Sequence, residues 1–191
     1  MNTQKDKLTY EFPELNGESK LRELILHIAD KCADAPKFGM TKLNKILYFS
    51  DFLWYKQTGK PITGVKYMRL DNGAVPQRMI PIREKMVANG DIFIVPKEFP
   101  NHRTQFRIIA REKANLDDYF TPGQIAWIDD VIRILWDASA DETSDLSHGT
   151  AWKVYNTDRE LIPYEAALLS DDRVTASDIE RTGEFEKQYG W

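Results

Sequence analysis

The sequence contains a single cysteine, Cys32, among 191 residues. One cysteine excludes a disulfide within the chain and is typical of a protein from a reducing cytoplasm. Cys32 lies on the apolar face of a predicted helix, which favours a buried thiol over a nucleophile. The sequence also lacks a recognisable secretion signal and any apolar run of the ~18–20 residues that a membrane span needs. We therefore expect a cytoplasmic protein that does not enter a membrane.

Acidic residues outnumber basic residues in this chain. Lysine and arginine number 26 against 30 aspartates and glutamates, which gives a formal net charge of -4. This balance argues against a generally basic nucleic-acid surface, although it leaves a local basic patch open. Hydrophobic residues make up 42% of the chain. At this length, such a composition predicts one globular domain with its own core.

Motifs for catalysis and metal binding are missing. The histidines are far apart in sequence, and none has the spacing of a metal ligand to a cysteine or a carboxylate: His27, His102 and His148. The Gly-Lys pair at position 59 is followed by Pro61, which removes a backbone donor that a phosphate-binding loop would need. We therefore predict no catalytic residue, no metal and no cofactor, and we do not expect an enzyme.

Residues 40–76 are the most informative stretch. Thr41 is suited to cap a helix, and apolar residues follow at spacings that keep one broad helix face apolar. Gly59 ends this central helix and Pro61 prevents its continuation. Residues 62–73 then predict a short strand and a tight Asp-Asn-Gly turn. The charged residues of the helix fall mainly opposite its apolar face: Lys42, Lys45, Asp51 and Lys56.

Helices dominate the rest of the predicted chain. A first helix opens at Glu18 or Ser19, and a third covers roughly residues 77–89. Two short apolar segments on either side of a polar loop predict a β-hairpin, at residues 91–95 and 105–109.

The second half of the chain adds four predicted helices. Thr121 and Pro122 are a good helix start, because threonine caps and proline suits the first helical position. Shorter helices are predicted at 146–155 and 163–169, and a polar final helix at 175–189. The predicted fold class is α+β and predominantly α-helical. Its short three-stranded β element combines the strand after the central helix with the hairpin.

The string KLNKILYFSDFLWYKQTGKPITGVKYMRLDNGAVP, residues 42–76, resembles the Panacea domain family of SocA-like antitoxins and phage-associated GepA-like proteins. Members of that family combine a KLxKLLYFxD helix with a GxPITGxxYxxxxxGPVP segment. Residues 146–152 resemble a second element of the family, LxH followed by AW. Ala74 stands where the family usually has proline, which predicts a local difference in the turn. The resemblance suggests an N-terminal arm at 1–17, the domain at 18–170 and a helical extension at 171–191.

The resemblance implies an antitoxin that neutralises a cognate toxin by direct protein contact. The toxin would be encoded nearby, in a bacterial genome or a prophage. Other interpretations within the family are an adaptor that presents a partner to a protease, and a phage accessory protein. No nucleic-acid or membrane partner is expected.

Candidate partner-binding residues cluster in sequence around the central helix and the turn, with a second group in the LxH and AW element. For Asp51, the alternative interpretation is a semi-exposed carboxylate that is hydrogen-bonded to a neighbouring loop. For His148 and Trp152, which lie four apart on one predicted helix face, the alternative interpretation is a half-buried pair. The candidates are Tyr48, Asp51, Tyr55, Tyr67, Asp71, His148 and Trp152.

A winged-helix-like DNA-binding regulator is the alternative function, because a helix followed by a hairpin is how such domains end. The third predicted helix would read the groove, and the loop at 97–103 would form the wing. The loop is thinly basic, since Lys97, His102 and Arg103 stand beside Glu98. A DNA complex would weaken steeply with salt.

Overall fold

The central helix, α2 (Met40–Thr58), contacts most other elements of the fold. The computed structural model describes residues 8–99, 104–139, 142 and 153–169. Helices α1 (Gly17–Lys31) and α4 (Pro122–Ile134) pack on α2, as do two strands and a 3₁₀ turn at Tyr164–Leu168. Because α2 is covered on several sides, its buried surface is wider than one apolar stripe.

One end of α2 lies where the sequence predicted it, and the other does not. Gly59 ends the helix in the left-handed conformation, with φ of 74°, as predicted. The start was predicted wrongly, since the N-cap is Gly39 and Thr41 lies within the first turn. The helix begins earlier because the carbonyl oxygen of Gly39 already accepts from the amide of Leu43 at 3.0 Å.

The prediction that the charged residues of α2 lie mainly opposite its apolar face was also wrong in part. Lys42, Lys45 and Asp51 are all buried, whereas Lys56 is exposed. A helix that contacts neighbours on several sides has little surface left for charge, so these side chains enter the interior and need polar partners there.

The strands form two separate antiparallel sheets. The first has the order β2-β1-β5, with β1 at Tyr67–Leu70, β2 at Gly73–Pro76 and β5 at Leu161–Ile162. The second is the predicted hairpin, β3 (Ile92–Glu98) and β4 (Thr104–Ala110).

The fold class, α+β and mostly helical, is confirmed. The composition of the three-stranded element was predicted wrongly, because β1 pairs with β2 and with the short β5, and the hairpin forms a separate sheet. A two-residue strand has no periodicity that a sequence pattern can detect.

The third predicted helix forms within the predicted range 77–89, and α4 confirms its predicted start signal. Helix α3 (Met79–Ala88) has Pro81 in its first turn, where a missing amide is tolerated. Thr121 caps α4 and forms a reciprocal pair of hydrogen bonds with Gln124, at 3.1 and 3.3 Å. Of the residues predicted as a helix at 163–169, Tyr164–Leu168 form a 3₁₀ turn.

The predicted helices at 146–155 and 175–189 lie outside the described residues, except for the end of the first. Residues 8–16 of the predicted arm pack on the domain. The amide of Phe12 donates to the carbonyl oxygen of Gly64 at 2.9 Å, and the amide of Tyr164 donates to that of Thr9 at 2.8 Å. Among the described residues, no helix has both the length and the hydropathy of a bilayer-spanning segment.

Candidate functional site

The carboxylate of Asp51, on α2, lies at the centre of a buried hydrogen-bond network. It accepts from the backbone amide of Thr63 at 2.6 Å, from the Thr63 hydroxyl, and from the hydroxyl of Tyr67 at 2.9 Å. The residue is 0% exposed. Burial raises the pKa of the Asp51 carboxyl, and the hydrogen bonds from Thr63 and Tyr67 oppose that rise. The network joins α2 to the loop that follows it and to β1.

The loop between α2 and β1 has the backbone shape that this network requires. Gly64 has φ of 74°, a conformation that residues with a Cβ rarely adopt. A Cβ at Gly64 would lie 2.8 Å from that of Phe12. Glycine at position 64 therefore serves two purposes. It allows the left-handed backbone directly after the Thr63 amide that donates to Asp51, and its lack of a Cβ leaves room for the docked arm.

Aromatic rings surround the Asp51 network. Phe52 lies 4.4 Å from Tyr48, 4.9 Å from Tyr164 and 5.4 Å from Tyr67, measured between ring centroids. The hydroxyl of Tyr164 donates to the carbonyl oxygen of Val65 at 2.6 Å. Burial raises the pKa of Tyr48 to about 12 and that of Tyr67 well above its usual value. These phenols stay protonated at neutral pH, and those of Tyr67 and Tyr164 donate hydrogen bonds within a packed interior.

Two buried lysines lie on the N-terminal half of α2. Lys42 donates from Nζ to the carbonyl oxygen of Trp136 at 2.9 Å, just beyond the end of α4. A cation is favourable there because the C-terminal carbonyls of a helix carry partial negative charge. Burial lowers the pKa of Lys42 and lowers that of Lys45 to about 8. The motif lysine Lys42 therefore connects α2 to α4.

The predicted partner-binding residues do not form one surface among the described residues. Tyr48, Asp51 and Tyr67 are brought together, but in the interior. Tyr55 is half-buried and donates to Glu165 at 3.4 Å, while Asp71 is exposed in the β1–β2 turn.

The other two candidates, His148 and Trp152, lie outside the described residues. For Asp51, the hydrogen bonds to a neighbouring loop are present, but the side chain is fully buried instead of semi-exposed. Partner contact by any of these residues stays a prediction. Asp51 and Tyr67 are buried beneath the surface of this structure and do not form part of that surface.

Two surfaces were missed in the sequence. The outer side of the β3–β4 hairpin exposes Phe93, Val95 and Ile109. Alternation within the predicted strands groups these side chains on one face, because successive side chains point to opposite faces, but it does not tell which face is exposed. An apolar depression of about 190 Å³ lies between α2 and α4, lined by Phe49, Leu53, Val131, Ile134 and Leu135.

A polar cleft of about 530 Å³ lies between the arm, the start of α1 and the β1–β2 sheet. Its charged groups are paired, since Lys66 contacts Glu11 at 3.0 Å and Arg78 contacts Glu18 at 2.6 Å. Within the described part of the chain, no group of three histidine, cysteine or acidic side chains is placed to hold a metal ion.

The fold and its buried polar network define a helix-rich α+β domain with the Asp51 network at its centre. The family model of the antitoxin SocA-like, Panacea domain matches residues 43–153. The chain belongs to this family. The matched region includes Asp51, Thr63 and Tyr67 together with the hairpin and α4. Neither a curated protein nor a solved structure gives a significant match.

Proposed function

We propose that this protein is a cytoplasmic antitoxin that neutralises a cognate toxin by direct protein contact and not by catalysis. The toxin would be encoded beside it, in a bacterial genome or a prophage. The family match over residues 43–153 is the observation that carries this proposal. Membership of an antitoxin family implies that the partner is a toxin, and the match does not identify which toxin.

The geometry of the motif residues supports a binding role. Asp51 is fully buried and bonded to Thr63 and Tyr67, and Lys42 is bonded to a backbone carbonyl. These polar groups stabilise the interior and offer no open site to a substrate. What the domain presents to another molecule is its outer surface, and exposed apolar side chains on such a surface are typical of protein-binding sites.

The test is co-expression with the product of the adjacent gene. Growth is scored with and without this protein, and a tag on this protein is then used to recover whatever it binds. We expect growth arrest by the neighbour alone, rescue by co-expression, and a complex that persists at high salt. A harmless neighbour that does not co-purify would contradict the proposal.

The same experiment distinguishes neutralisation from adaptor action. A neutralising antitoxin protects cells while the toxin stays abundant in the complex. A protease adaptor protects cells by lowering the amount of toxin, and this protection disappears when the protease is deleted. Toxin abundance under rescue is therefore measured by immunoblot in both backgrounds.

The DNA-binding alternative has one observation in its favour, since α3 is followed directly by the β3–β4 hairpin. The surface of α3 does not favour it. Lys85 is exposed on α3, but its other exposed side chains are apolar or acidic: Ile80, Pro81, Glu84, Val87 and Ala88. A helix that enters the groove of DNA needs polar and basic groups to contact bases and phosphates. We therefore rank DNA binding second.

A further inference from the structure

The outer side of the β3–β4 hairpin carries apolar side chains that the described structure covers only in part. Along β3 and β4, the other side faces the core, where Ile92 and Ile108 are buried, and exposes Phe106 towards its far end. On the outer side, Phe93 is 45% exposed, Val95 43% and Ile109 46%. Phe93 and Ile109 are direct cross-strand neighbours, so these side chains form one continuous patch.

The charged side chains that the two strands place on this side are basic. Lys97 and Arg107 occupy positions of the same side, and the guanidinium of Arg111 lies 4.9 Å from the centroid of the Phe93 ring. Within the two strands, no carboxylate occupies a position on this side. This local balance contrasts with the net charge of -4 of the whole chain.

The hairpin is held firmly enough to present this side. The pairing extends without interruption from Ile92 opposite Ala110 to Glu98 opposite Thr104. Arg107 also donates to the carbonyl oxygen of Ala33 at 2.8 Å, which ties β4 to the end of α1. A preformed surface loses less conformational entropy on binding than a loop that must become ordered.

We propose that this side of the hairpin is the toxin-binding surface, and that its occupant is an acidic protein surface with an apolar centre. The outer hairpin face consists of Phe93, Val95, Lys97, Ile109 and Arg111. Gln105 and Arg107 share this side of the strands but lie against Gly39 and Ala33. The apolar members of the outer hairpin face bury against the partner, while Lys97 and Arg111 meet carboxylates at the rim. This inference rests on the proposed antitoxin function and adds the surface and the chemistry of the partner.

The composition of the outer hairpin face favours a protein over a nucleic acid. Protein interfaces have an apolar centre enriched in aromatic residues and a polar rim in which arginine is frequent. A nucleic-acid surface depends instead on many phosphate contacts, and its affinity rests on the number of cations. Here the centre holds Val95 and Ile109, which have no use against a sugar-phosphate backbone.

The contact is made through the face and not by adding a strand to the edge of the hairpin. Strand β3, one of the two edges of this sheet, contains Pro96, which has no amide to donate to a further strand, followed by Lys97. Both residue types are common on strands that avoid edge-to-edge pairing. The partner therefore needs no extended segment, and a folded acidic surface suffices.

The first experiment compares matched charge insertions into exposed apolar positions. Phe93→Glu and Ile109→Glu place a carboxylate at the centre of the outer hairpin face. Leu168→Glu is the control, because Leu168 is 59% exposed in the 3₁₀ turn and lies in neither of the two exposed apolar surfaces. The adjacent-gene product that co-purifies with this protein is titrated against each variant. We expect the two hairpin variants to bind about 30-fold more weakly or worse, and Leu168→Glu to bind within about threefold of the unchanged protein.

The second experiment tests the charge of the partner. The double variant Lys97→Glu/Arg111→Glu is compared with the unchanged protein at about 50 mM and about 500 mM salt. We expect association with the adjacent-gene product to slow at least about tenfold at low salt, with a smaller difference at high salt. An unaffected or faster association would show that the partner surface is not acidic and would overturn the inference.

A third measurement does not depend on substitutions that alter the hairpin. Amide hydrogen exchange is recorded on the unchanged protein, alone and in complex with the adjacent-gene product. We expect formation of the complex to slow amide exchange in the hairpin more than in α4. Protection confined to other elements would overturn the inference, even if Phe93→Glu or Ile109→Glu proved to be unfolded.

The outcomes separate the inference from the proposed function. If the unchanged protein neither rescues growth nor binds, the antitoxin proposal fails and the inference fails with it. If the unchanged protein rescues growth and both hairpin variants rescue and bind equally well, only the inference fails. Binding of a duplex of about 20 base pairs that the double charge variant abolishes, without any change in toxin binding, would assign the face to nucleic acid and overturn the inference.

Discussion

The hydroxyl of Tyr67 donates a 2.9 Å hydrogen bond to the carboxylate of Asp51, and both side chains are buried. Through this contact the central helix holds the first strand of the β2-β1-β5 sheet. Thr63 adds two further donors to the same carboxylate. Removal of the carboxylate would therefore leave three buried donors without their acceptor.

Asp51→Ala is expected to lower the free energy of unfolding by about 3 kcal/mol or more, because each buried donor left unsatisfied costs about 1–3 kcal/mol. Urea unfolding followed by circular dichroism measures the change. Asp71→Ala is the matched control at an exposed turn position and is expected to stay within about 0.5 kcal/mol of the unchanged protein. Equal effects of the two substitutions would contradict the structural role of Asp51.

Gly64 and Gly59 provide a second matched pair, because both have φ of 74°. Gly59→Ala meets no atom within 4 Å, so its cost is backbone strain alone, about 1–2 kcal/mol. Gly64→Ala carries the same strain and also brings its Cβ to 2.8 Å from that of Phe12. We expect the second substitution to destabilise by about 1–3 kcal/mol more, since overpacking forces neighbours to move.

The extra cost at Gly64 depends on the arm being docked, which gives the pair a control. Deletion of residues 1–15 removes Phe12 and also Leu15, whose Cδ1 would lie 3.1 Å from the added Cβ, so in that background the two alanine substitutions should have similar effects. Thermal unfolding of the four proteins provides the comparison. An excess cost at Gly64 that survives the deletion would show that the arm is not its cause.

Lys42→Met removes a buried ammonium that donates to the carbonyl oxygen of Trp136. Hydrogen bonds from charged groups contribute about 1.5–3 kcal/mol, and we expect a loss of stability near the lower end, because methionine keeps most of the packing. Lys37→Met is the control, since Lys37 donates to the next carbonyl, that of Asp137, at 2.9 Å from an exposed position. Denaturant midpoints that fall equally in both variants would contradict a special role for burial.

How much of this fold could be predicted depends on the distance over which each signal acts. Gly59, Thr121 and the hairpin strands were predicted because their signals lie within a few residues of the element they define. The pairing of β5 with β1 was not, because it joins segments that are far apart in sequence. No local pattern marks Leu161 and Ile162 as a strand.

The candidate site shows the same limit. The resemblance selected Asp51 and Tyr67, and the structure brings the two into contact. The burial of Asp51 could not be predicted, since a helical projection of α2 has one apolar face and gives no information about neighbours on the other sides. The exposed side of the hairpin was missed for the opposite reason, because alternation alone does not tell which face of a strand is covered.

The last prediction concerns Lys45, whose pKa burial lowers from 10.5 to about 8. Between these two values the unfolded chain binds a proton that the folded protein does not. The free energy of unfolding contributed by Lys45 therefore rises as the pH increases through this window. In Lys45→Met this contribution is absent, while all other titrating groups remain.

We expect the unchanged protein to gain roughly 3 kcal/mol relative to Lys45→Met between pH 8 and pH 10.5, at about 1.4 kcal/mol for each pKa unit. Urea unfolding at a series of pH values measures the difference. Lys56→Met, at an exposed position of the same helix, controls for the loss of a lysine charge. Parallel stability curves for the unchanged protein and Lys45→Met would show that Lys45 titrates alike in both states, which its burial does not allow.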